Sequence, residues 1–177
     1  MYLTIKANAK INLYLEVTSL REDGFHDIRS IMHEVSLCDS VSCRRMSAAG
    51  REISLTVDGG ELPTGDQNLV WRAAEAFFHY YNIEEYSVEF HIEKHIPIAA
   101  GLAGGSSDAA AAIMLLDRLF GTHADMKTLC RIGESVGSDV PFCIVGGTCE
   151  VSGRGEGLRR IETPIDLYIV IAKGGDG

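Results

Sequence analysis

The sequence predicts an α+β fold, a mostly antiparallel sheet carrying about three helices. Three observations point to it. The first third is rich in apolar–polar alternation broken by turn residues, as antiparallel strands are. Two later stretches, 68–80 and 126–136, repeat apolar residues at helical spacing. Between them an alternating segment, Tyr86–Lys94, passes through a glycine-rich loop into the apolar run Ala109–Leu116, which reads as strand, loop and helix. With 177 residues, 46% hydrophobic and 23% charged, the chain suits a soluble domain with a substantial core.

Taken in order, Leu3–Val17 reads as one long strand or a strand pair. Lys10 sits there among core-like neighbours, Ala9-Lys10-Ile11-Asn12-Leu13. Either it snorkels to the surface from an edge strand or it serves a site, and Asn12, two residues on, shares its face. Arg21-Glu22-Asp23-Gly24 is a turn. Phe25 and His26 follow at its tip, where they could stack on and hydrogen-bond a base or plug the loop against the core. Ile28–Leu37, Ser40–Met46 and Glu52–Val57 read as three strands, with Asp58-Gly59-Gly60 turning the last.

Asp66 to Asn68 are candidate caps for a helix carrying Val70, Ala73, Ala74, Phe77 and Tyr81. His91 and His95 lie four apart, but on a strand and outside any metal-binding motif. Met126, Leu129, Ile132 and Val136 mark a further helix stopped by Gly137. In Gly137-Ser138-Asp139-Val140-Pro141-Phe142 the proline is expected to keep Val140 out of helix. Asp139 then lies in a short stiff loop before an apolar strand, Phe142–Val145. It is a turn or cap residue, or a carboxylate held for chemistry beside hydrophobic walls. Two short strands follow, separated by glycines, and Asp166–Ala172 reads as the last strand.

The loop Pro97-Ile98-Ala99-Ala100-Gly101-Leu102-Ala103-Gly104-Gly105-Ser106-Ser107-Asp108 is the main chemical signal. Small residues let backbone N–H groups approach an anion, and the helix behind aims its positive dipole end at the same place. Ser106 and Ser107, read as cap residues, can donate to phosphate oxygens or hold magnesium. The competing account is a tight turn whose serines only cap a buried helix. No lysine follows the glycines, so this is not a Walker-type loop, and no G-x-G-x-x-G closes a first strand.

A formal net charge of −9 argues against non-specific nucleic-acid binding and requires any polyphosphate site to be locally positive. The N-terminal residues show no secretory signal. The longest apolar runs fall far short of the roughly 20 residues that cross a bilayer. Five scattered cysteines without a C-x-x-C pair read as free thiols of a reducing cytoplasm. Oligomeric state is not written in the sequence.

The loop from Pro97 to Ala110 resembles the phosphate motif of the small-molecule kinases named for galactose, homoserine, mevalonate and phosphomevalonate. Ala9-Lys10-Ile11-Asn12-Leu13, Arg21-x-Asp23-Gly24-Phe25-His26, Asn68-Leu69-Val70 and Gly137–Phe142 are similar to one branch of that family. That branch moves the γ-phosphoryl of ATP to the 2-hydroxyl of a cytidine diphosphate-linked methylerythritol, in isoprenoid precursor synthesis. The resemblance implies the fold of an N-terminal kinase domain like that of ribosomal protein S5, over residues 1–165. Residues 166–177 would lead toward the family's C-terminal domain, whose second glycine-rich motif has no counterpart here.

By the same resemblance Asp139 is the base and Lys10 lies beside it. Pro97, Gly101, Leu102, Ala103, Gly104, Gly105, Ser106 and Ser107 hold the triphosphate of ATP, with Ser107 near Mg2+. Asn12, Phe25, His26 and Asp139 face the substrate, while Asn68 and Lys94 lie toward adenosine. Two departures stand out. Phe25 replaces a usual tyrosine and keeps only its stacking face, and Ala103 replaces a loop glycine, so a left-handed angle there is harder to reach. Two rival functions remain at this level: a kinase of the same family acting on a mevalonate- or homoserine-like alcohol, and a module that binds a nucleotide or partner without turnover.

Overall fold

The computed structural model describes residues 2–20, 24, 26–47, 50–59, 61–153, 155, 157–163 and 167–173. Its first element is a long antiparallel pair, β1 (Leu3–Leu20) with β2 (His26–Arg45). The two strands expected over 28–46 are thus a single one. Asp39, which looked like a break, stays in the ladder opposite Ala7, and its carboxylate accepts the N–H groups of His95 (2.5 Å) and Ile96 (2.8 Å). A polar residue that serves as an internal acceptor has no need of a turn.

Because β1 runs along one edge of β2, the other edge is shared. Its C-terminal half, Ser40–Arg45, pairs antiparallel with β4 (Tyr86–Glu93), and its N-terminal half, Ile28–His33, with β5 (Thr148–Gly153). Outside these, β3 (Arg51–Asp58) pairs parallel with β4, and β6 (Gly157–Arg160) antiparallel with β5. The sheet is therefore mixed, with one parallel pair among otherwise antiparallel ones.

Helix α1 (Leu69–Tyr80) starts where expected, with the Asn68 side chain accepting the Val70 N–H at 2.9 Å. Helix α2 (Gly104–Phe120) packs on β1, β2 and the other three helices, which its buried run Ala109–Ala112 permits by letting backbones approach closely. Phe77 and Phe78 of α1, Phe120 of α2 and Tyr86 of β4 close the core's far end, with the Phe78 and Tyr86 rings stacked at 3.8 Å. Helix α3 is Met126–Glu134.

Two expectations are corrected here. Residues 140–145 form a short helix, α4 (Val140–Val145), instead of a strand, and make a fourth helix. Pro141 sits in its first turn, where no helical N–H is required, so the proline opens the helix and does not exclude Val140. The segment expected as a last strand carries none over 167–173. Tyr168 is 99% and Val170 95% exposed, and with no ladder partner among the described residues its alternation is not enough. No described helix is long and apolar enough to cross a membrane. All five cysteines are free, two of them buried.

Candidate active site

Lys10 is brought to the glycine loop by an irregularity in β1. The ladder with β2 slips between Asn8 and Lys10, and the freed Lys10 N–H donates to the Leu102 carbonyl at 3.0 Å. Ala9, at the slip, packs with Leu102 and Ile96 in a small apolar cluster beneath the loop. The Lys10 side chain is 7% exposed, so it does not snorkel. Its ammonium donates to Asn12 Oδ1 at 2.9 Å and lies 3.8 Å from Asp139 Oδ2. Asp139 is the residue before α4, yet its carboxylate makes no cap bond. That leaves it pointed at Lys10 and one-third open to solvent.

The loop itself is built on three left-handed residues. Ala99, Gly101 and Ala103 have φ of 55°, 72° and 55°. Ala103 adopts the angle a glycine would take more readily, at a cost of roughly 1 kcal/mol. The first helical bond of α2 runs from the Ser107 N–H to the Ala103 carbonyl at 2.9 Å. The N–H groups of Gly104, Gly105 and Ser106 therefore stand at the helix's open end, where an anion is stabilised. A Cβ on Gly104 would fall 3.0 Å from Ile96 Cγ2 and 3.2 Å from Lys94 Nζ, so a larger residue there would press on both side chains.

The serines are not caps. Ser106 lies in the first turn, and Ser107, 2% exposed, donates its hydroxyl to the Asn8 carbonyl and rests 3.3 Å from Cys143 Sγ. The hydroxyl is turned toward the Asn8 carbonyl. Burial pushes the neighbouring Cys143 thiol up to about 12, making it an inert wall.

Lys94 lies in a buried charge cluster. Its ammonium is buried beneath the first residues of α2, between Asp39, to which it donates, and Asp108 at 2.8 Å. Burial alone would lower the Lys94 pKa, but the two carboxylates outweigh it and raise it. The side chain of Asn68 is likewise committed, to the cap and to the Pro63 carbonyl at 2.8 Å. His26, exposed, pairs with Leu20 at the far end of the β1–β2 pair. That is ten residues along β1 from Lys10, on the order of 30 Å along the strand. Phe25 lies outside the described residues. Pro97 is exposed at the loop's outer edge. No set of three His, Cys, Asp or Glu among the described residues is arranged for a metal, and His91 instead contacts Thr56 and Asp58.

Asp39 and Asp108 escape the sequence reading as partners. Each meets Lys94 from far away in the chain or from the helix behind the loop, and no local pattern marks such a pairing. The only visible sign is an acidic residue at a position that otherwise reads as core.

A slipped strand thus delivers a lysine to an uncapped aspartate beside an open helix N-terminus, an arrangement suited to an anionic ligand. Residues 68–147 match the GHMP kinases N terminal domain. Nearly its whole length aligns with proteins named 4-diphosphocytidyl-2-C-methyl-D-erythritol kinase. That of Exiguobacterium sibiricum is 41% identical over 173 residues, 98% of this chain and 59% of the relative. That of Caldanaerobacter subterraneus is 44% identical over 171 residues, 96% of this chain and 58% of the relative.

A crystal structure of 4-(cytidine 5'-diphospho)-2C-methyl-D-erythritol kinase superposes with a TM-score of 0.73 at 34% identity, over 92% of this chain and 56% of that one. Mevalonate kinase of Methanococcus jannaschii, at 17% identity and a TM-score of 0.70 over 92% of this chain and 56% of that one, shares the fold. The chain thus spans somewhat under three fifths of the length of these relatives.

Proposed function

We propose that this chain is the ATP-binding, base-bearing part of a kinase that phosphorylates the 2-hydroxyl of 4-diphosphocytidyl-2-C-methyl-D-erythritol. The observation that carries the proposal is the 3.8 Å approach of Lys10 to Asp139, with Lys10 hydrogen-bonded through its own backbone to the phosphate loop. Phosphoryl transfer needs mainly positioning and charge stabilisation. Asp139 accepts the hydroxyl proton at its free carboxylate oxygen. Lys10, held by Asn12, stabilises the developing alkoxide and the transferred group. The open amides from Gly104 to Ser106, carried on the stretch from Pro97 through Gly101, Leu102 and Ala103, hold the triphosphate. The resemblance alone assigns Phe25 and His26 to the cytidine end, and the position of His26 about 30 Å along the strand from Lys10 lends that assignment no support. Asn68 and the main chain at Lys94 border adenosine. Magnesium would enter with the nucleotide and neutralise phosphate charge, and Ser107, on turning its hydroxyl from the Asn8 carbonyl, is the residue assigned to meet it. The names of the relatives support the choice of alcohol.

The test is transfer from ATP to two alcohols. The diphosphocytidyl methylerythritol should be phosphorylated and mevalonate should not, and the opposite preference overturns the assignment. Asp139→Asn should lower turnover by about 10²- to 10⁴-fold, the worth of a positioned base, while nucleotide affinity stays within about twofold. Wild-type turnover in that variant removes Asp139 from the role. Nucleotide binding without transfer to either alcohol would make the chain a binding module.

A further inference from the structure

Beneath the glycine loop lies a charge cluster that the proposed chemistry does not use. Lys94 follows the last residue of β4 just before the loop, Asp108 lies one turn into α2, and Asp39 comes from β2. All three side chains are at most 4% exposed. Two carboxylates face one ammonium, so with both ionised the cluster carries an excess negative charge. That excess is local to Asp108, whose Oδ1 is buried with no hydrogen-bond partner among the described residues. Both oxygens of Asp39, by contrast, are occupied, one by Lys94 and the other by the N–H groups of His95 and Ile96.

Placement gives the charge its meaning. The Lys94 ammonium lies 3.2 Å from where a Cβ of Gly104 would be, directly under the first residue of the helix end that receives an anion. A cation there strengthens that end, and the unmatched carboxylate beside it weakens it. We infer that Lys94 positions the two ends of the glycine loop and that Asp108 is an affinity-setting residue, holding one negative charge beneath the cradle so that polyphosphate is bound less tightly than the loop allows. This inference rests on the nucleotide reading above.

Among the described residues, Lys94 and Asp39 are the charged groups that act on Asp108. At the same turn of α2, β1 presents the Asn8 carbonyl and α1 presents Leu69, neither charged. Burial pushes the Asp108 carboxyl up to about 7, Lys94 opposes this, and Asp39 adds to it. The measurement therefore belongs near pH 8, where the carboxyl is mostly ionised.

Asp108→Asn keeps shape and the acceptor for Lys94 while removing the charge. Calorimetric titration of the chain with ATP, ADP and AMP should show ATP bound about 3- to 10-fold tighter than by wild type, ADP less so, and AMP nearly unchanged. Asp39→Asn, which also removes one charge and keeps an acceptor for the amides, should act in the same direction, and it carries the test if Asp108→Asn does not fold. A merely structural role cannot produce a gain graded by phosphate number. Equal affinities in wild type and variants, or a uniform loss across the three nucleotides, overturn the inference and leave the nucleotide site standing. Absence of binding by every protein, wild type included, overturns the nucleotide reading and this inference with it.

Discussion

Ala103 shows how a single angle is set by its surroundings. Its φ of 55° is imposed by Leu102, tied through its carbonyl to Lys10, and by the start of α2 at Gly104. An alanine held left-handed loses roughly 1–2 kcal/mol against its ordinary conformations. Replacement by glycine also frees the unfolded chain by about 0.4–1 kcal/mol, in the opposite sense. Ala103→Gly should therefore stabilise the protein by about 0.5–1 kcal/mol, raising the melting temperature by a few degrees. Ala103→Val should lower it, because a β-branched residue tolerates this region least. A thermal melt decides: if the glycine variant melts lower, the loop does not hold residue 103 left-handed. Nucleotide affinity should change little in the glycine variant, since the amides it precedes keep their places.

At the scale of elements, α2 does two jobs with opposed demands. Its first turn must stay open to anions, and its next must be buried against β1 and β2, which puts Asp108 inside. Asp108 has a folded-state pKa raised from 3.8 to about 7, chiefly by burial. The folded state thus binds a proton that the unfolded state releases between about pH 4 and 7. Stability is favoured at the acid end of that window and falls as pH rises through it, by at most about 4 kcal/mol. Urea midpoints of wild type minus those of Asp108→Asn, taken from pH 4.5 to 8, isolate this slope from the exposed carboxylates. Parallel curves would mean that Asp108 does not titrate in this range.

Local signals place α1, α2 and α3 because apolar spacing and a cap such as Asn68 act within a few residues. They misplace α4, because a proline that reads as a barrier stands in the helix's first turn. They also split β2, because Asp39's partners, Lys94 and two backbone amides, lie more than fifty residues on. Lys10 and Asp139 were legible as candidates through residue type and resemblance. Their meeting was an expectation that only the slip in β1 explains.

For the whole molecule, burial is uneven, and that unevenness predicts where it opens. The helical layer and the β2–β4 half of the sheet share one core, with Ala109, Ala111, Ile113, Leu115 and Leu116 fully buried. The outer half of β1 leaves that core. Leu13, Tyr14, Leu15, Val17 and Leu20 are 47–70% exposed, so this half is held mainly by its ladder to β2. Backbone hydrogen bonds without buried side chains open at low free energy, whereas those of a core helix open only with global unfolding. Hydrogen exchange followed by mass spectrometry should therefore find amides of residues 14–20 exchanging at least about 100-fold faster than those of 109–116. Because Lys10 lies on the core side of this boundary, held by Leu102, its amide should exchange with the slow group. If residue 10 instead exchanges with 14–20, the lysine is mobile relative to Asp139, and the site is not preorganised by the fold.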